Sequence, residues 1–193
     1  MINTKKVVIG GTSAGCAIQG QYGFSADLDT ITTAEALKNP YDPKVTLRKD
    51  LLLHKILKNT ITDTHYNNPD RRGRHMTFMA RISQDHLGSS DKVYGIGVEE
   101  KVAVAVESNG RAYVYGQTNN YAHFMQQTNA LDGPEECVPG KPLDWFRSRK
   151  AVNVYRVMSN KNGDRYFDLN SWNTGTGGTW MYYYVDRGFF STA

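Results

Sequence analysis

A serine lies between two glycines in Gly11-Thr12-Ser13-Ala14-Gly15, directly after the β-branched run Val7-Val8-Ile9. Gly-x-Ser-x-Gly after a strand is the pattern of a nucleophile elbow. Such a turn strains the serine at the strand's end, and the helix that follows presents its N-terminus to negative charge. Close approach of strand and helix is expected to require both flanking glycines. A glycine-rich packing turn, or a phosphate-binding one, would read the same way locally. A serine nucleophile also needs a base and a group that orients the base.

His65, in Ile61-Thr62-Asp63-Thr64-His65-Tyr66, is the candidate base. It follows a strand-like run, and active-site groups of open α/β sheets gather at strand ends. His54, His75, His86 and His123 lack that context and are given no role. The candidate orienting acid is Glu100, in Gly95-Ile96-Gly97-Val98-Glu99-Glu100; the residues alone do not separate it from Glu99, and a solvated acidic turn is the plain alternative. Between base and acid runs Asn67-Asn68-Pro69-Asp70-Arg71-Arg72-Gly73-Arg74. Guanidinium forks there suit substrate carboxylates, as an alternative to a solubilising turn that caps the next helix.

These groups need elements to hold them. Residues 7–10 read as a buried strand feeding a helix over 14–22, and 31–38 as a short helix. Residues 61–64 read as a strand, and 72–84 as a helix with Met76, Met79 and Ala80 on one face. Residues 95–106 alternate as a strand through Val102, Val104 and Val106. Asn109-Gly110 signals a hairpin to a partner at 111–115. Pro134, Pro139 and Pro142 mark a linker-like stretch, after which 151–158 and 166–169 read as strands. The tail is Gly/Thr-rich at 173–179 and aromatic at 180–185. This organisation divides the chain into a catalytic portion, 1–132, and a β-rich extension, 133–193, packed on it.

A chain of 193 residues suffices for one domain with a real core. No apolar run approaches the ~20 residues of a membrane span. The net charge of +4 is mild, and outside Arg71, Arg72 and Arg74 the basic residues are spread out, so neither a nucleic-acid footprint nor a membrane partner is expected. No His, Cys and carboxylate cluster has metal-ligand spacing. Cys16 and Cys137 could be reduced core residues or one disulfide. Compartment stays open between a cytoplasmic protein and an exported one that has lost an upstream signal.

The four segments Gly11–Gly15, Asp63–Tyr66, Arg72–Arg74 and Gly95–Glu100 together resemble the cyanophycinase-like serine peptidases, relatives of aspartyl dipeptidase within the class I glutamine amidotransferase-like fold. The resemblance covers about residues 7–130, with the motifs in the family's order. Ser…His…Glu also differs from the Ser…Asp/Glu…His order of α/β-hydrolases. It implies an α/β fold: the carboxy-terminal part of a flavodoxin-like parallel sheet. It implies that Ser13 is the nucleophile, His65 the general base, and Glu100 the acid orienting His65. The Ala14 N–H would be an oxyanion donor, and Asp63, Thr64, Arg72 and Arg74 would line the substrate pocket. The reaction implied is hydrolysis of aspartyl or β-aspartyl peptides such as β-Asp-Arg units, without cofactor. The chain departs from the family at Thr64, where Gln is common, in a basic loop longer by about two residues, and near Thr77, where a third arginine is absent.

Family members also carry roughly a hundred residues before the elbow, as the several βα units of a doubly wound sheet require. The expectation is therefore that a complementing amino-terminal segment or a homodimer partner completes the sheet. The alternative from another class is a truncated or degenerate relative that binds peptides without catalysis. A glutamine amidotransferase-like domain using Cys16 is the third reading, and there Cys16 lies three residues past the elbow tip.

Overall fold

In a computed structural model, residues 7–86 and 91–193 are described. The elements are, in order, α1 (Ala14–Ala17), β1 (Tyr22–Phe24), α2 (Thr33–Lys38), β2 (Leu47–Lys49), β3 (Thr60–Thr64) and α3 (Arg72–His86). There follow β4 (Tyr94–Val98), β5 (Val102–Val106), β6 (Arg111–Gly116), β7 (Tyr121–Gln127), β8 (Val152–Met158), β9 (Tyr166–Asp168), β10 (Gly178–Asp186) and β11 (Phe189–Thr192).

The fold is α/β with few helices and a large mixed sheet. Eight strands lie in the order β11-β10-β8-β7-β4-β3-β1-β2. Only the β1–β3 and β3–β4 pairs are parallel; every other pair in this sheet is antiparallel. A second sheet, β5-β6-β9, is antiparallel. Residues 133–193, read from sequence as an extension, supply β8, β10 and β11 to the large sheet and β9 to the small one. β7 and β8 pair over seven positions, from Tyr121↔Met158 to Gln127↔Val152, so hydrogen bonding runs continuously across residue 132.

Strand alternation gives the large sheet two apolar faces. On β7, Met125 joins Met76, Met79, Ile82 and Trp145 beneath the helices, while Ala122 and Phe124 face the small sheet. There Phe124 stacks on Phe167 at 4.7 Å, with Val114, Val157 and Trp172 around them. The helix read over 72–84 is α3, whose Met76, Met79 and Ala80 are fully buried. α2 begins at a capping box in which Thr32 accepts from the Glu35 N–H and the Glu35 carboxylate accepts from the Thr32 N–H. Among the described residues no helix is long and apolar enough to cross a membrane.

Three sequence expectations are corrected. Residues 7–10 belong to neither sheet, and Val7 and Val8 are 57% and 99% exposed. A β-branched run becomes a strand only beside a partner, and β3 already has β1 and β4 as neighbours. The helix over 14–22 is a single turn: Thr62 donates to the Cys16 carbonyl at 2.8 Å, Gln19 Nε2 to that of Gly15 at 2.7 Å, and the chain turns into β1. The strand over 95–106 is two strands in different sheets, β4 and β5, separated by a turn at Glu99–Lys101. Lys101 takes a φ of 61° there.

Candidate active site

Ser13 precedes α1 with φ 52° and ψ −121°, a left-handed conformation unfavourable for a residue with a Cβ. The turn is tight at Gly11, where a Cβ would come within 2.6–2.7 Å of the Gly15 backbone. Gly15 itself faces open space, so the steric requirement expected of both glycines falls on Gly11. The Ala14 N–H, at the start of α1, has no acceptor among the described residues and is free to serve an oxyanion.

The structure brings Ser13, His65 and Glu100 together. Ser13 Oγ lies 3.1 Å from His65 Nε2, and His65 Nδ1 lies 3.0 Å from Glu100 Oε1. A carboxylate can only accept, so Nδ1 carries the imidazole proton and Nε2 accepts from the serine hydroxyl. That is the arrangement in which the imidazole can take the serine's proton. The side chains of His65 and Glu100 are 38% and 37% exposed, open to a substrate. Hydrogen bonds from His65 and Asn68 hold the Glu100 carboxyl below the ordinary glutamate range, keeping it ionised.

Parallel pairing sets this geometry. β3 and β4 run side by side from Thr60↔Tyr94 to Thr64↔Val98, so their carboxy-terminal ends deliver His65 and Glu99-Glu100 to one edge. The Tyr66 N–H donates to the Val98 carbonyl at 3.2 Å, and the Glu100 N–H to Asn67 Oδ1 at 3.1 Å. Tyr66 lies flat against β4 at Gly97, where a Cβ would meet its ring at 2.4–2.6 Å. His65 has a φ of 50°, so base and nucleophile both occupy strained backbone.

The remaining candidates separate. Asp63 and Arg74, expected to line a substrate pocket, are buried and turned to each other: Arg74 Nε donates to Asp63 Oδ2 at 2.8 Å and a terminal nitrogen to Oδ1 at 2.6 Å. The Arg74 guanidinium also lies over the Phe24 and Phe78 rings. Arg72 forks onto Asp70, rests on Phe190 and donates to the Tyr183 hydroxyl. Thr64 is half-buried, and its carbonyl accepts from Arg71 at 3.1 Å.

Arg71, passed over in the sequence in favour of its neighbours, is a basic side chain beside the triad, with Lys101 the other cation felt by Glu100. Arg71 is half-buried, feels the Glu100 and Asp63 carboxylates, and has no carboxylate at ion-pair distance among the described residues. Burial and Arg74 push its pKa down. The structure also separates the paired acids. Glu99 turns inward to His123, with Oε1 3.1 Å from His123 Nε2, while Glu100 turns to His65. Cys16 is half-buried and carries a thiol pushed up to about 11 by burial, far from thiolate reactivity at neutral pH. No cluster of three or more His, Cys, Asp and Glu could hold a metal ion among the described residues.

Comparison with protein-family models gave no match to this chain, and comparison with curated proteins gave none either.

Proposed function

We propose that this chain is a serine hydrolase working through Ser13, His65 and Glu100. More narrowly, we infer a serine exopeptidase of the cyanophycinase type, acting on aspartyl or β-aspartyl peptides on a flavodoxin-like scaffold. The observation that carries the reading is the Ser13–His65–Glu100 chain of 3.1 and 3.0 Å contacts, with the serine at φ 52° on an elbow. The substrate class rests on the four resembling segments and on the Arg71 guanidinium beside the triad, which has no carboxylate at ion-pair distance among the described residues and suits one from a substrate.

In this reaction Ser13 Oγ attacks the peptide carbonyl while its proton passes to His65 Nε2. Glu100 stabilises the imidazolium, and the Ala14 N–H donates to the oxyanion. Collapse of the tetrahedral intermediate breaks the C–N bond, and the proton on His65 leaves with the amine. Water, deprotonated by His65, then cleaves the Ser13 ester and restores the serine. Recombinant protein should hydrolyse Asp-X or β-Asp-Arg dipeptides, and a fluorophosphonate should add covalently at Ser13 by intact mass and peptide mapping. Ser13→Ala should abolish both; hydrolysis undiminished in that variant refutes the reading.

One observation favours a second reading, a relative that binds acidic peptides without turnover: residues 7–10, which lead into the elbow, have no sheet partner among the described residues to brace it. Single-turnover acylation of Ser13 distinguishes the two.

A further inference from the structure

We propose that Glu99, His123 and Tyr183 form a buried positioning relay that holds the Glu99–Glu100 turn, and with it the Glu100 carboxylate, against His65. The relay presupposes the triad reading above and deepens it. Its residues lie under α3 on a face they share with Met125, Val154 and Val185, where a polar group is costly unless every partner is supplied.

Every partner is supplied. Glu99 Oε2 accepts from the Tyr121 N–H at 2.9 Å, and Oε1 from His123 Nε2 at 3.1 Å. The Glu99 N–H donates to the Tyr121 carbonyl at 3.1 Å. Three hydrogen bonds thus fix Glu99 to β7, and the next residue is fixed from the other side by Asn67. Because Glu99 accepts at His123 Nε2, that nitrogen bears the proton, and His123 Nδ1 accepts from the Tyr183 hydroxyl at 2.8 Å. The direction of the chain is therefore set: Tyr183 donates to His123, and His123 donates to Glu99.

The surroundings keep it so. Burial lowers the His123 pKa and keeps the ring neutral, and it pushes the Tyr183 hydroxyl up to about 12. The charged groups facing the relay are Arg72 from α3, Asp70 from the loop before it, and Arg156, opposite His123 on β8. The Tyr66 ring, one residue from the base, packs on His123 with centroids 4.9 Å apart. His123 therefore touches the supports of both His65 and Glu100 without touching substrate.

The test compares wild type, His123→Phe, His123→Gln and Tyr183→Phe by two readouts: the titration midpoint of the Glu100 carboxyl, from NMR of 13C-glutamate-labelled protein, and the rate of Ser13 labelling by a fluorophosphonate. Gln can donate to Glu99 and accept from Tyr183, so it should keep both values near wild type. Phe at 123 should raise the Glu100 midpoint toward that of ordinary glutamate. It should slow labelling roughly ten- to a hundredfold, the cost of an ångström-scale misplacement. Tyr183→Phe removes one hydroxyl, should move both values the same way by less, and remains decisive if His123→Phe does not fold. A folded Phe variant at either position with an unchanged midpoint and labelling rate overturns the relay. A wild type with the low Glu100 midpoint but no labelling at Ser13 overturns the hydrolase reading instead, and the midpoints of the variants still judge the relay.

Discussion

Replacing Arg74 by methionine separates a structural role from a substrate-binding one. The Arg74 and Asp63 side chains are 4% and 2% exposed and share two charge-assisted hydrogen bonds, of 2.6 and 2.8 Å. Methionine keeps much of the apolar contact with Phe24 and Phe78 but leaves the Asp63 carboxylate buried without its cation. Breaking a buried pair from one side typically costs about 3–5 kcal/mol. That is a large part of the 5–15 kcal/mol by which a domain is usually stable. At roughly 2–4 °C per kcal/mol for a chain of this size, Tm should fall by about 10 °C. Urea unfolding of wild type, Arg74→Met, Asp63→Leu and the double variant completes a thermodynamic cycle. The double variant should be more stable than either single one, because two apolar side chains replace the pair without an orphaned charge. An Arg74→Met protein within about 1 kcal/mol of wild type, with a raised KM for aspartyl peptides, would refute this placement and return Arg74 to the substrate pocket.

Three further outcomes follow from the packing. The fully buried His75 has a pKa lowered to about 4 by loss of solvent, so the unfolded chain gains a proton near pH 6.5 that the folded chain refuses. Stability should be full above pH 6.5 and fall by up to roughly 3 kcal/mol between pH 6.5 and 4, with His123 adding in the same direction; His75→Gln should flatten that dependence in urea melts. Gly97→Ala should destabilise the fold by about 1–3 kcal/mol and slow Ser13 labelling, because the new methyl displaces the Tyr66 ring and with it His65. The Cys16 thiol should alkylate with iodoacetamide at pH 8 far more slowly in the folded protein than in urea; rapid native alkylation would revive a cysteine nucleophile.

The sequence made some of this legible because the signals were local. Asn109-Gly110 does turn between β5 and β6, residues 151–158 contain β8, and the Met76–Ala80 spacing marks the buried face of α3. Ser13, His65 and Glu100 could be singled out because each sits at a break between elements. What stayed hidden depended on partners distant in the chain. Val7-Val8-Ile9 has the composition of a strand but no neighbour to pair with among the described residues. His123 lies mid-strand on β7, which was not anticipated, and only the antiparallel register Gly97↔His123 places it beneath the Glu99 turn. Glu99 and Glu100 are chemically identical in the sequence; which turns inward follows from alternation, because Glu99 lies two residues past Gly97, on the face of His123, and still pairs with Tyr121 of β7. Arg74 and Asp63 read as pocket groups because an isolated motif does not reveal that its charges neutralise each other.

The elbow is the least anchored member of the triad. α1 is one turn long and buries no residue, whereas His65 and Glu100 extend from strands in the middle of the sheet. Segments with few buried contacts open at much lower free energy than the core. Heat or mild denaturant should therefore detach Ser13 while the His65–Glu100 pair and the sheet remain intact. Activity would then be lost, reversibly, below the melting temperature of the fold, and ligands that contact both the elbow and the β3–β4 edge would protect activity more than they raise Tm.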